Sequence, residues 1–208
     1  MKPHLLNRIS DRLRHNQQGW TLVEICLVVL LIGIISSIAI PSFISIRRIA
    51  QINGDAHDLA DLVVLANLRA AGDFTHSRLY VDVSANKFHI ETWNRTTTHW
   101  DTEGGVFSLF NGNSFGYGTL ASPPAGTQSS IGQPSSCQAL GGGSGTIANT
   151  ACIEFNSRGI PVDSNGTPTG NDAVYITDGA AVYAVTVSAT GLFLLWRTDL
   201  HAPWWQKR

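Results

Sequence analysis

Two features near the start of the chain could do chemistry together: the Gly19–Trp20 junction and Glu24, four positions beyond Trp20. Gly19 is a small residue before a bulky one, and hydrolysis of the bond between them would release a new α-amine on Trp20. Glu24 stands at the head of an apolar run, Ile25 to Ile46, that carries no charge. A carboxylate at the edge of a hydrocarbon layer is costly and is rare there unless paired. No basic residue follows Glu24 within the next helical turns. A Trp20 amine, from the same chain or from a neighbour, is the cation that would neutralise it. The competing account places Glu24 in the field of a helix N-terminus, an effect of about 0.3–1 kcal/mol. That is too small to account for an acid at this depth.

The flanking segments fix how this site would be presented. Met1 to Gly19 carries Lys2, Arg8, Arg12 and Arg14 against one acid, Asp11. Positive charge beside an apolar span is retained in the cytoplasm, so the C-terminal part is exported. The uncharged stretch is about 22 residues long, against roughly 20 needed to cross a bilayer core. An ordinary secretory signal is cut after its apolar core. Here the small residue precedes the core, and cleavage would leave the helix on the mature protein. The competing arrangement is an uncleaved single-pass anchor, which predicts an intact Met1.

Pro41, inside the run, removes one backbone hydrogen bond and softens or kinks a helix. From Phe43 the pattern becomes amphipathic: Phe43, Ile46, Ile49 and Ile52, then Leu59, Leu62, Val63, Leu65, Ala66 and Leu68 recur at helical spacing. Arg47, Arg48, Asp55, Asp58 and Asp61 fall on other faces. The spacing predicts one helix from about Leu22 to Ala71, weakened at Gly54 and stopped by Gly72 just past its end.

Gly19 through Phe43 resembles the class III signal and N-terminal helix of type IV pilins and type II secretion pseudopilins. Gly19 falls in the cleavage position, Thr21-Leu22-Val23-Glu24 matches the family's T-L-[IV]-E, and Gly33 and Pro41 fall where the family often softens its helix. Trp20 stands where the family usually has Phe. The resemblance implies cleavage by a prepilin peptidase between Gly19 and Trp20, N-methylation of Trp20, and a docking role for Glu24. It implies other pilins or pseudopilins and an inner-membrane assembly platform as partners. The location implied is the bacterial inner membrane, with the C-terminal domain in the periplasm and assembly into a pseudopilus or pilus.

Beyond Gly72 the chain reads as short strands. Arg78–Val83 and Lys87–Trp93 alternate around the turn Ser84-Ala85-Asn86 and predict a hairpin. Val106–Phe110, Ala151–Phe155, Ala173–Thr177, Val182–Ser188 and Leu192–Arg197 are further strands. Asp178-Gly179 and Ala189-Thr190-Gly191 are turn signals, and Ser114–Gly145 is a long Gly/Ser/Pro-rich loop. The predicted fold is therefore α+β. A membrane-spanning N-terminal helix, residues 20–71 with 25–46 in the bilayer, packs on an antiparallel β domain over 72–208. Of three cysteines, Cys26 lies in the apolar run. In an exported domain Cys137 and Cys152 are the simplest disulfide pair, closing a loop of about 15 residues worth on the order of 3 kcal/mol.

Phe155-Asn156-Ser157-Arg158-Gly159-Ile160-Pro161, with Val185 to Gly191, resembles the C-terminal half of H-type minor pseudopilins and FimT-like pilins. That family often has a basic residue after the last turn glycine, where this chain has Leu192. For Arg158-Gly159 a simple strand-ending turn competes evenly with a functional role. The resemblance implies a minor structural subunit that initiates or caps a filament in protein secretion.

No enzyme motif emerges. The seven histidines form no H-E-x-x-H, Gly141–Gly145 lacks the Lys-Ser/Thr of a phosphate loop, and G-x-S-x-G is absent. Asp163, Asn165 and Asp172 do not follow the calcium-loop spacing. The expectation is a non-enzyme with no cofactor and no metal. Nucleic acid is the rival partner: Arg197, Trp204, Trp205, Lys207 and Arg208 interleave aromatic and basic residues that could stack on bases and contact phosphates. FimT-like relatives include pilins that bind DNA during uptake. The formal net charge of −1 does not mark the domain as a basic nucleic-acid binder.

Overall fold

A computed structural model describes residues 19–139, 145–163 and 165–208. Residues 1–18 of the basic leader and Gly141–Ser144 of the glycine run lie outside the described residues. The chain divides between Ile46 and Arg47 into two compact units. One helix, α1 (Leu22–Gly72), contributes to both. It is long and apolar enough to cross a membrane, and its residues up to Ile46 are almost all exposed. It contains Pro41 without interruption and includes Gly72. The left-handed residue that follows is Phe74, at φ 50°, where Asp73 and Thr75 donate back to the Arg69 and Ala70 carbonyls. A glycine stop was expected at Gly72; the chain turns two residues later.

The described residues of the second unit form ten strands in two antiparallel sheets. In the first sheet, β1 (Ser77–Asp82), β2 (Lys87–Asn94), β3 (His99–Ser108), β5 (Thr150–Phe155) and β6 (Pro161–Val162) lie in the order β3-β2-β1-β5-β6. In the second, β4 (Ser114–Phe115), β7 (Asp172–Thr177), β8 (Ala181–Val187), β9 (Phe193–Asp199) and β10 (Ala202–Lys207) lie in the order β10-β9-β8-β7-β4. The predicted first hairpin is present, with Leu79 opposite Ile90 and Val81 opposite Phe88. Its turn is held by Asp82, whose carboxylate accepts from Ala85 N–H at 2.8 Å. The third strand begins earlier than expected, at His99, and bulges at Gly104-Gly105 opposite β2.

Alternation along the strands gives each sheet an apolar face that shares a core with one side of α1. Leu59, Val63 and Ala66 are fully buried there. The amphipathic reading of the helix holds for Ile52, Leu59, Leu62, Val63 and Ala66, whereas Leu65 and Leu68 are exposed. Asp55, expected on a solvent face, is buried. Its carboxylate accepts from Phe110 N–H at 3.0 Å and from Asn113 Nδ2 at 2.6 Å, and so ties the β3–β4 connection to the helix. Burial pushes this carboxyl above its ordinary value, against the pull of Asn113 and Phe110.

A second, smaller core forms on the other face of the β7–β9 sheet, from Ala173, Tyr175, Val182, Ala184 and Trp196 beneath Leu120. Residues 117–133 of the long loop expected over 114–145 cover it, whereas Ser114–Phe115 at its start form β4. Gln133 both donates to and accepts from the Tyr175 backbone, and Gln128 accepts from the Tyr175 hydroxyl. Near the end of this loop, the Cys137–Cys152 disulfide is formed.

The outer face of the first sheet carries a buried ion pair. Arg78 Nε donates to Glu91 Oε2 at 2.7 Å, and its Nη1 donates to the Gln138 carbonyl at 2.7 Å, beside the disulfide. Its guanidinium carbon lies 3.9 Å from the Trp100 ring centre. Burial alone would raise the Glu91 carboxyl, but hydrogen bonds and charge from His89 and Arg78 hold it below its ordinary 4.5. The stabilisation is therefore complete above about pH 4.5 and is lost as pH falls through the folded-state value. Glu91→Gln is expected to lower stability at pH 7, because Arg78 is left buried without its anion, and to flatten the acid-side decline. Denaturant unfolding at a series of pH values measures both effects; an unchanged pH profile would contradict this role for Glu91.

Candidate functional site

At the N-terminus of α1 the sequence sets up a reciprocal cap. Thr21 precedes the first helical residue, and its Oγ1 accepts from Glu24 N–H at 3.2 Å. The Glu24 carboxylate turns back to the Thr21 N–H at 3.5 Å. This is a capping box, in which a Thr and an acid three residues later each satisfy a backbone donor that the helix cannot. Thr21 also accepts through its carbonyl from Glu24 and Ile25 N–H. Sequence reasoning weighed the helix dipole and an amine partner for Glu24 and missed Thr21. The signal was present in Thr-x-x-Glu ahead of an apolar run. Trp20 is 69% exposed, and Gly19, Trp20, Thr21 and Glu24 line a shared open depression.

The two other residues singled out in this helix are both within it. A Cβ at Gly33 would meet no atom within 4 Å, so no contact inside the described chain requires glycine there. Pro41 has no N–H to donate to the Ser37 carbonyl four residues back. The hydroxyls of Ser37, Ser42 and Ser45 bond to helix carbonyls, at 2.7, 3.2 and 2.9 Å. A helix meant for an apolar medium must satisfy its polar groups internally in this way. Cys26 is a free, exposed thiol on the same helix.

The two C-terminal segments quoted above meet in space. Asn156 Oδ1 accepts from Arg158 and Ile160 N–H, and Gly159 sits at φ +71°, where an added Cβ would lie 2.9 Å from Asn67 Nδ2. That same nitrogen donates to the Gly159 carbonyl at 2.6 Å. Gly191, in the β8–β9 turn, lies against the Gly159 carbonyl. The glycine is thus accounted for by a tight turn docked on α1, while the Arg158 side chain is left on the surface.

The basic, Trp-rich C-terminus is a strand rather than a free tail. β10 pairs with β9, Gln206 opposite Arg197 and Lys207 opposite Trp196, with a bulge before Gln206. This splits Arg197 from Trp205 and Lys207, which lie on the opposite face. Trp205 packs toward Tyr175 and donates its indole N–H to the Ser122 carbonyl at 3.0 Å. Lys207 lies over the Trp196 ring on that side. Arg197 is on the other face, paired with Asp199 at 2.8 Å and near the Tyr183 ring. Trp204 is 76% exposed, and Arg208 lines a groove with His57 and Asp61.

Among the described residues no three His, Cys, Asp or Glu side chains converge as a metal site. Asp163 Oδ1 accepts from Asn165 and Thr167 N–H at 2.9 Å, the bonds of a tight loop. Replacing Thr21 with Val should cost the helix start about 1 kcal/mol. It should be read as faster amide exchange in the first turn, with the β domain unchanged. Equal exchange in both proteins would show that the cap contributes nothing.

No protein-family model matches the sequence, and no curated protein matches it. Among solved structures, the chain is similar to the minor pseudopilin EpsH from the type 2 secretion system of Vibrio cholerae. The identity is 12% and the TM-score 0.43, with 70% of this chain and 95% of that chain covered.

Proposed function

We propose that this chain is a minor pilin-like subunit of a type II secretion pseudopilus, structural rather than catalytic. It is inserted in the inner membrane, cut by a prepilin peptidase after Gly19, and methylated on Trp20. It enters the filament through its N-terminal helix and helps to initiate or cap it. The observation that carries this reading is the junction itself. An exposed Gly19–Trp20 bond lies immediately before a capped helix whose apolar residues up to Ile46 are left almost entirely uncovered by the described chain. An apolar surface of that extent needs a bilayer or partner helices. Cleavage before the cap would leave the helix intact and place a cation next to Glu24, the one acid between Leu22 and Ile46.

Glu24 has two partners in sequence under this reading: the Thr21 N–H in the uncut chain, then an α-amine at Trp20 in the same or a neighbouring subunit. Softening at Gly33 and Pro41 would help the segment leave the bilayer and pack among other helices. The DNA-uptake alternative has less support, because β10 divides Arg197 and Arg208 from Trp205 and Lys207.

Glu24→Ala is expected to leave membrane insertion and β-domain folding intact and to reduce recovery of the chain in sheared filaments at least about tenfold, a deficit of about 1.4 kcal/mol in docking. Normal recovery would remove Glu24 from the account. Retention of double-stranded DNA by the full chain, with a steep salt dependence, would move the weight to the alternative.

A further inference from the structure

At one end of β2 and β3 the second unit holds a cleft of about 360 Å³. It lies between the turn that follows α1 and the β2–β3 turn, and Asp73, Thr75, Trp93, Asn94, Arg95 and Asp101 line it. Contacts within the chain hold its walls. Thr75 Oγ1 donates to the Trp93 carbonyl at 2.9 Å, and Trp93 N–H donates to the His76 carbonyl at 2.8 Å. The Arg95 guanidinium donates to the Phe74 carbonyl. The Trp93 indole is partly exposed and packs edge-on against Trp100, with ring centres 5.3 Å apart. An indole braced in this way offers a large contact area and loses little rotamer freedom when a ligand lands on it.

The polar groups of the cleft select among ligands. Asn94 Nδ2 donates to Asp101 Oδ2 at 2.9 Å and leaves Oδ1 open. Asp73, Arg95 and Asp101 take part in no ion pair among the described residues. Strong acceptors and a strong donor therefore stand around one indole. A phosphate-bearing ligand meets two carboxylates there. A cation meets the guanidinium, and among the described residues no three His, Cys, Asp or Glu side chains converge to hold a metal ion. An apolar segment would bury charged groups without partners, which is costly. A neutral ligand with adjacent hydroxyls satisfies all of them, because each hydroxyl both donates and accepts. We infer that this cleft binds a neutral carbohydrate, with one sugar ring against the Trp93 indole and its hydroxyls shared between the Asp73 and Asp101 carboxylates and the Arg95 guanidinium. The volume falls at the small end of the roughly 300–1,000 Å³ of ligand sites, the size for a short stretch of glycan. The inference stands apart from the filament reading: every residue it uses lies in the second unit.

The full chain, held in a detergent without a sugar headgroup, is titrated with maltotetraose, cellotetraose, mannotetraose and chitotetraose, and binding is read by saturation-transfer NMR and calorimetry. At least one of these glycans is expected to bind saturably, with a Kd below about 10 mM. Trp93→Ala and Asp73→Ala should each weaken that glycan about tenfold or more, while Trp93→Phe restores part of the loss. Asp73 is exposed and unpaired, so its replacement separates a lost ligand contact from a lost fold. The affinity should stay constant between about 0.05 and 0.5 M salt, since screening weakens only contacts between charges. Failure of all four glycans to saturate overturns the proposal. So does a glycan whose affinity is unchanged by both Trp93→Ala and Asp73→Ala, because it then binds elsewhere. An affinity that falls steeply with salt also overturns it, by marking the ligand as charged.

Discussion

One helix face holds the globular unit together. Both sheets turn their apolar sides onto α1, where Leu59, Val63 and Ala66 are fully buried. Neither sheet has another layer to bury that face against, so the helix and the two sheets form one core. The periods match: strand residues alternate, helix residues recur at three and four, and the two patterns meet along one stripe. Polar contacts then fix the loops to this frame. Asp55 holds the β3–β4 connection, Asn67 the Gly159 turn, and Arg78 the segment beside the disulfide.

The four sheet edges are poor templates for assembly. β4 and β6 are two residues long, β3 bulges at Gly104-Gly105, and β10 carries Pro203 and a bulge. Short strands, bulges and edge prolines all discourage strand addition. The uncovered attractive surface is instead the N-terminal part of α1, exposed from Leu22 to Ile46 with few exceptions. A design that blunts its β edges and leaves an apolar helix uncovered favours association through the helix.

Much of this was legible in the sequence. The helix, the first hairpin, the disulfide pair and most of the strands followed from periodicity, turn residues and cysteine count. What was not legible depended on contacts between distant residues. Asp55 looked like a surface acid because charge favours solvent, but the β3–β4 connection offers two donors that no local pattern reveals. Arg78 alternates correctly for an outward-facing residue, and its burial depends on the arrival of Gln138 about 60 positions later. The C-terminal strand was not among the predicted ones; Pro203 and its polar residues disfavour a strand, and pairing with β9 overrides that preference. At the candidate site Gly19, Trp20 and Glu24 were found from residue type and spacing. Thr21 was passed over although its cap is a local signal.

The central claim is that this helix is released at Gly19 and then carried into a filament. Crosslinking of the native protein in its own membranes, with mass spectrometry of its neighbours and of its own N-terminus, tests that claim most directly. The account predicts a chain beginning with methylated Trp20 and crosslinked to secretion pseudopilins. An intact Met1 with no pilin-type neighbour would contradict it.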